Sequence, residues 1–183
     1  MILLINICKE EMHYLEFVKP IEDILSKSEA SFETKHFLDV KKSDLESCHR
    51  IIIAGTSLKD FEYTKHLSKF NFLKSFNKPV LAICGGMQIL CMAHGCKLSN
   101  GQEIGLKRIN FNAEYLGVNG QRDVYCLHNM VLKDDDALKR SFRIFSKTEY
   151  VQAVMHKHKP KQYGVLFHPE VRNKDLIVNF LYI

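Results

Sequence analysis

The sequence lacks any apolar run close to the ~20 residues needed to cross a bilayer. An export signal is missing too: Met1 to Ile7 is apolar but short, carries no basic stretch, and is followed by Lys9, Glu10 and Glu11. That opening reads as a buried first strand. Internal repeats, low-complexity tracts and Ser/Gly/Pro-rich linkers are absent. So is a Gly-rich phosphate loop, which argues against nucleotide triphosphate chemistry on this chain. The cysteines (Cys8, Cys48, Cys84, Cys91, Cys96, Cys126) show no paired spacing. Without an export signal they are expected to be reduced thiols in a cytoplasmic protein. Charge of one sign is not in large excess: 26 Lys and Arg against 21 Asp and Glu leave a net +5, spread along the chain. That is weak evidence for nucleic acid and suits phosphorylated metabolites or an acidic partner.

What is present suits one folded domain spanning residues 1–183. A chain of this length with 46% hydrophobic residues can bury a core without disulfides or a structural metal. Ile2 to Ile7, Arg50 to Ala54 and Val80 to Ile83 are continuous apolar runs, typical of strands buried on both faces. Ser31 to Phe37 is a further strand candidate. Met12, Leu15, Val18, Ile21 and Leu25 recur at helical spacing, with Pro20 opening the second half. A polar, aromatic-rich stretch through Phe76 holds one or two helices, and Gly85 to His94 reads as another. Beyond it, short strand-like segments lie around Ile109, Val124–Leu127, Phe142–Phe145, Val151–Met155 and Tyr163–Phe167, before a final helix from Leu176 to Ile183. Alternating strands and helices predict a parallel sheet in the first half, and the strand-rich second half an antiparallel extension. The expected architecture is α/β, three-layered, with a mixed sheet.

The most informative segment is Pro79-Val-Leu-Ala-Ile-Cys84-Gly-Gly-Met-Gln88. A buried strand stops at a cysteine, two glycines follow, and a helix begins. A nucleophile there sits on a sharp turn at the carboxyl end of a strand, where open α/β sheets bind ligands. Such a turn needs small neighbours two residues before and after, which Ala82 and Gly86 provide. N–H groups at the helix start can stabilise a thiolate and an oxyanion. Taken alone, the motif fits a buried core cysteine beside a glycine turn equally well.

A second strand end favours chemistry. Tyr163-Gly-Val-Leu-Phe-His168-Pro-Glu170 ends in a histidine, with a carboxylate two residues on. A carboxylate on one ring nitrogen sets the tautomer and leaves the other free for a thiol proton. Alone, this reads better as a surface His-Pro-Glu turn. Together the two ends supply nucleophile, base and orienting acid.

At these residues the sequence resembles the class I, triad-type glutamine amidotransferases. Their motifs stand here as Ala82-Ile-Cys84-Gly-Gly86-Met-Gln88 and Phe167-His168-Pro-Glu170. Ile51-Ile-Ile-Ala-Gly55 resembles the family's strand leading into the oxyanion loop, and Tyr125-Cys-Leu-His128-Asn its strand ending near the glutamine pocket. The loop itself reads Ala54-Gly55-Thr56-Ser57 where the family commonly has Gly-Gly-Pro. Within the family the chain looks most like the amidotransferase subunit of archaeal two-chain GMP synthases, although Asn6 to His13 lacks their Gly-Gln-Tyr pattern.

The resemblance implies a flavodoxin-like fold and hydrolysis of L-glutamine to glutamate and ammonia. Catalysis would fall to Cys84, His168 and Glu170. Gly55 and Gly85 would serve the oxyanion, and Gln88 and His128 the substrate pocket. No cofactor, metal, membrane or nucleic acid is implied. Ammonia would pass to an ATP-dependent synthetase on a separate chain, best matched by the synthetase subunit of GMP synthase (XMP to GMP). Two other readings remain: a catalytically altered binding or regulatory relative, and a stand-alone cysteine peptidase or γ-glutamyl hydrolase.

Other residues carry less. Cys91, His94 and Cys96 have zinc-compatible donors but no fourth ligand, so packing is the better reading. His156 to Lys161 reads as a solvated basic turn, and Asp134-Asp-Asp136 as a loop and helix cap.

Overall fold

The computed structural model describes residues 1–183. Four apolar runs form its parallel strands: β1 (Ile2–Asn6), β2 (Phe32–His36), β3 (Arg50–Ile53) and β4 (Val80–Ile83). Three more strands, β5 (Phe142–Lys147), β6 (Val151–His156) and β7 (Gln162–Val165), complete a seven-stranded sheet in the order β2-β1-β3-β4-β7-β6-β5. β7 lies parallel to β4, whereas β6 and β5 run antiparallel to their neighbours, which is the expected extension.

Helices cover both faces. α1 (Glu11–Phe17), α2 (Lys19–Lys27) and the C-terminal α3 (Lys174–Phe180) bury Phe17, Ile21, Leu25, Ile177 and Phe180 in one core layer. A 3₁₀ helix (Leu67–Lys74) and α4 (Gly85–Ala93) bury Phe70, Leu73, Met87 and Leu90 in the other. Each layer holds more than two dozen buried side chains, which is why strands β1, β3 and β4 are apolar on both faces.

Two expectations need correction. The apolar stripe from Met12 to Leu25 is not one buried face: Met12 and Leu15 are 73% and 65% exposed, whereas Val18, Ile21 and Leu25 are fully buried. Pro20, in the first turn of α2, donates no N–H, so the helix restarts at Lys19 and α1 points a different face outward. Secondly, the segments around Ile109 and Val124–Leu127 are not short. They are the middles of two long strands, βa (Leu98–Tyr115) and βb (Val118–Leu132), forming a separate hairpin sheet. Only their inward positions are apolar. Outward pairs such as Arg108–Asp123, at 2.8 Å, conceal the continuity from a hydrophobic reading.

Asp135 caps the short helix Asp136–Ser141, accepting from the N–H groups of Ala137 and Leu138. The basic turn after β6 is less solvated than expected, because His156 is buried. Its Nδ1 accepts from the His158 and Lys159 N–H groups, each at 3.1 Å. That fixes the proton on Nε2, which donates to His94 Nδ1 at 3.1 Å. His94 Nε2 then donates to Gln162 Oε1, and Gln162 Nε2 donates to the carbonyls of Leu73 and Phe76. The chain of neutral rings ties together β6, α4, β7 and the 3₁₀ helix. Burial, with the charges of His94, His158 and Lys159, pushes the His156 pKa down to about 4.

Candidate active site

Three neighbouring parallel strands, β3, β4 and β7, end at the same edge of the sheet. Gly55, Cys84 and His168 stand just beyond those ends, so sheet register alone brings them together. Cys84 adopts φ +49° and ψ −107°, a strained conformation for a residue with a side chain. It is held there by its N–H donating to the Val165 carbonyl at 2.8 Å and by α4 beginning immediately after it. The turn explains the requirement for glycine two residues on: a Cβ on Gly86 would lie 2.4 Å from the Ile53 carbonyl oxygen.

His168 is anchored through its N–H, which donates to the Tyr125 carbonyl of βb at 2.8 Å. Pro169 then turns the chain so that Glu170 Oε1 sits 2.7 Å from His168 Nδ1. Both side chains are buried. Nε2 of His168 has no hydrogen-bond partner and is the nitrogen left for Cys84. Burial opposes a charge on this ring, but Glu170 and Cys84 outweigh it and raise the pKa well above the ordinary histidine value. Phe17 packs against the imidazole at 5.4 Å between ring centroids, closing it off from α1.

The hairpin lies across this edge. The Cys84 thiol points at the Leu127 carbonyl at 3.7 Å, and His128 and Asn129 form a wall of the adjoining pocket with Thr56, Tyr63 and Gln88. His128 is buried, and burial lowers its pKa although Glu103 and the Gly101 carbonyl act the other way. Gln88 lies in the same wall, but its amide is already engaged: Oε1 accepts from the Tyr63 hydroxyl at 2.5 Å and Nε2 donates to the Met130 carbonyl at 2.9 Å. The pocket is nearly closed, with a cavity of about 10 Å³, roughly the room for one water.

The oxyanion loop is ordered by residues that pattern reading missed. Cys8 donates to the Gly55 carbonyl at 3.7 Å, so the Thr56 N–H of the same planar peptide faces away from Cys8. Buried Asp60 accepts from the Thr56 hydroxyl (2.6 Å), the Lys9 N–H (2.7 Å) and the Glu62 N–H (3.2 Å). One carboxylate thereby pins the loop to the segment after β1. Asp60 sits in an ordinary polar stretch, and Tyr63 and Glu103 likewise carry no local pattern. Their only sequence signal is a buried fate that tertiary contacts decide. Of the zinc-compatible trio, His94 is committed to Gln162 and His156, and Cys91 and Cys96 are buried free thiols.

Comparison with known proteins agrees with this geometry. The family described as "Glutamine amidotransferase class-I" matches residues 13–181. The glutamine-hydrolyzing subunit of GMP synthase from Picrophilus torridus is 30% identical over 132 residues, covering 68% of each chain. That of Thermoplasma volcanium is 30% identical over 158 residues, covering 79% of this chain and 76% of the relative. Among solved structures, a Thermoplasma acidophilum protein provisionally assigned as the same GMP synthase subunit superposes with a TM-score of 0.84 at 20% identity, over 99% of this chain and 92% of that one. A Thermotoga maritima glutamine amidotransferase gives 0.72 at 20% identity, over 97% and 79%. These two likenesses bear on the fold, whereas the family match bears on descent and spans nearly all of the sequence. This chain belongs to the class I glutamine amidotransferases.

Proposed function

We propose that the chain is a single glutaminase domain that hydrolyses L-glutamine and supplies ammonia to a separate ATP-dependent synthetase, the one that converts XMP to GMP. The observation that carries this reading is the His168 ring, bonded to Glu170 through Nδ1 and left unpartnered at Nε2 beside the strained Cys84. Cys84 attacks the side-chain amide carbon as thiolate, with its proton on His168. Glu170 holds the resulting imidazolium. The carbonyl electrons move onto oxygen, where the N–H groups of Gly85 and Thr56 receive the charge. Collapse expels ammonia, which takes the proton from His168 and leaves a γ-glutamyl thioester. Water, deprotonated by His168, then releases glutamate and returns the proton to the thiol.

The closed pocket shapes the rest of the proposal. A cavity of about 10 Å³ cannot hold glutamine, so the segment from Ser57 to Phe61 has to move before substrate enters. It also speaks against a stand-alone peptidase taking larger substrates. Slow turnover by the isolated chain is therefore expected, with a large rise when the synthetase docks and opens the loop. Steady-state glutaminase turnover with and without the GMP synthetase chain, XMP and ATP tests this. Equal turnover and no complex on sizing would reject this partner.

A further inference from the structure

One cluster of chemistry-bearing side chains lies outside the triad. Glu103 on βa faces His128 on βb in direct register, and Cys126 stands two residues before His128 on the same face. All three are buried, and their donor atoms lie within 4.8 Å of one another. His128 Nε2 is 3.2 Å from Glu103 Oε2, yet the alignment makes no hydrogen bond, and Nδ1 has no partner either. A histidine only 2% exposed with both ring nitrogens unpaired is costly unless something else binds it.

Gln152 braces the other two groups. Its Nε2 donates to Glu103 Oε2 at 2.6 Å, and its Oε1 accepts from the Cys126 thiol at 3.9 Å. Outer-shell amides of this kind orient ligands at metal centres. We propose that Glu103, Cys126 and His128 form a three-ligand site for a zinc-class divalent cation, set against the glutamine pocket. Thiolate, imidazole and carboxylate are the donor set such ions prefer, and three protein ligands leave a fourth position open. Zn–S near ~2.3 Å and Zn–N near ~2.0 Å require the donors to draw in by about 1 Å, a side-chain adjustment. The binding proton balance is simple: the cation displaces the Cys126 thiol proton to solvent.

Position gives the site a consequence that rests on the proposed glutaminase reading. Leu127 lies between Cys126 and His128, and its carbonyl contacts the Cys84 thiol. An occupied site would stiffen this strand and hold the His128 wall of the pocket shut.

The test uses Co²⁺ as a spectroscopic probe on the full chain. One equivalent should bind and give a thiolate-to-cobalt charge-transfer band that zinc abolishes by displacement. Cys126→Ser should lose the band, and Cys84→Ser should keep it. Glu103→Gln should keep the band and weaken binding by about tenfold or more. No stoichiometric binding would overturn the proposal, as would a band that survives Cys126→Ser or disappears in Cys84→Ser. If Cys126→Ser does not fold, Glu103→Gln decides, and unchanged affinity overturns the site. None of these readouts needs glutaminase activity, so failure of the metal site and failure of the catalytic reading remain distinguishable.

Discussion

A Cβ added to Gly55 would lie 2.8 Å from Cε1 of His168 and 3.3 Å from Cβ of Cys84. The oxyanion loop is thus packed directly against both reacting side chains, and no residue but glycine fits there without moving the imidazole. Gly55→Ala should leave the protein folded, because a loop and a ring edge can yield. Turnover should fall by about 10²-fold, the usual cost of misplacing a catalytic group by an ångström. Gly86→Ala meets backbone instead of a ring, 2.4 Å from the Ile53 carbonyl. That variant should lose about 1–3 kcal/mol or more of stability. Thermal melts and turnover, measured together, separate the two outcomes. A Gly55→Ala enzyme with full turnover would contradict the site geometry.

Cys84→Ala should abolish glutamine hydrolysis. A γ-glutamyl chloroketone should alkylate Cys84 alone, because the other five cysteines are buried away from the pocket and none of them is paired with a histidine and carboxylate. Peptide mapping that places the adduct on Cys91 or Cys126 would reject the assignment.

His168→Ala should cost about 10² or more in rate, the scale of general acid–base catalysis. Glu170→Gln should cost less and move the pH profile. The carboxylate helps hold His168 above its ordinary pKa, so removing that charge lets the imidazolium deprotonate at lower pH. The pH limb that reports this proton should shift to lower pH in the variant. An unmoved profile would mean that Glu170 only packs.

The buried histidine chain predicts acid sensitivity. His156 stays neutral in the fold down to about 4, against 6.5 for an unperturbed ring. Between those values the unfolded chain binds a proton that the folded protein refuses. Stability therefore rises with pH across this window and is lost as pH falls from about 6.5 towards 4. Denaturant unfolding across that range should show the slope, and His156→Asn should flatten it. An identical slope in the variant would assign the acid loss to carboxylates instead.

The chemistry was legible in the sequence because it is local. Cys84 and His168 each end a short apolar strand, and their small or proline neighbours are what the turns physically need. Strands buried on both faces betray themselves by composition, so β1, β3 and β4 stand where expected. Tertiary structure alone decided what depends on register and burial between distant segments. It turned Met12 and Leu15 outward, joined two apolar patches into one long hairpin, and buried His156. It also set Asp60 to pin the oxyanion loop and placed Glu103 opposite His128. A polar side chain is written the same way whether it faces water or a buried partner, and only the folded chain supplies the partner.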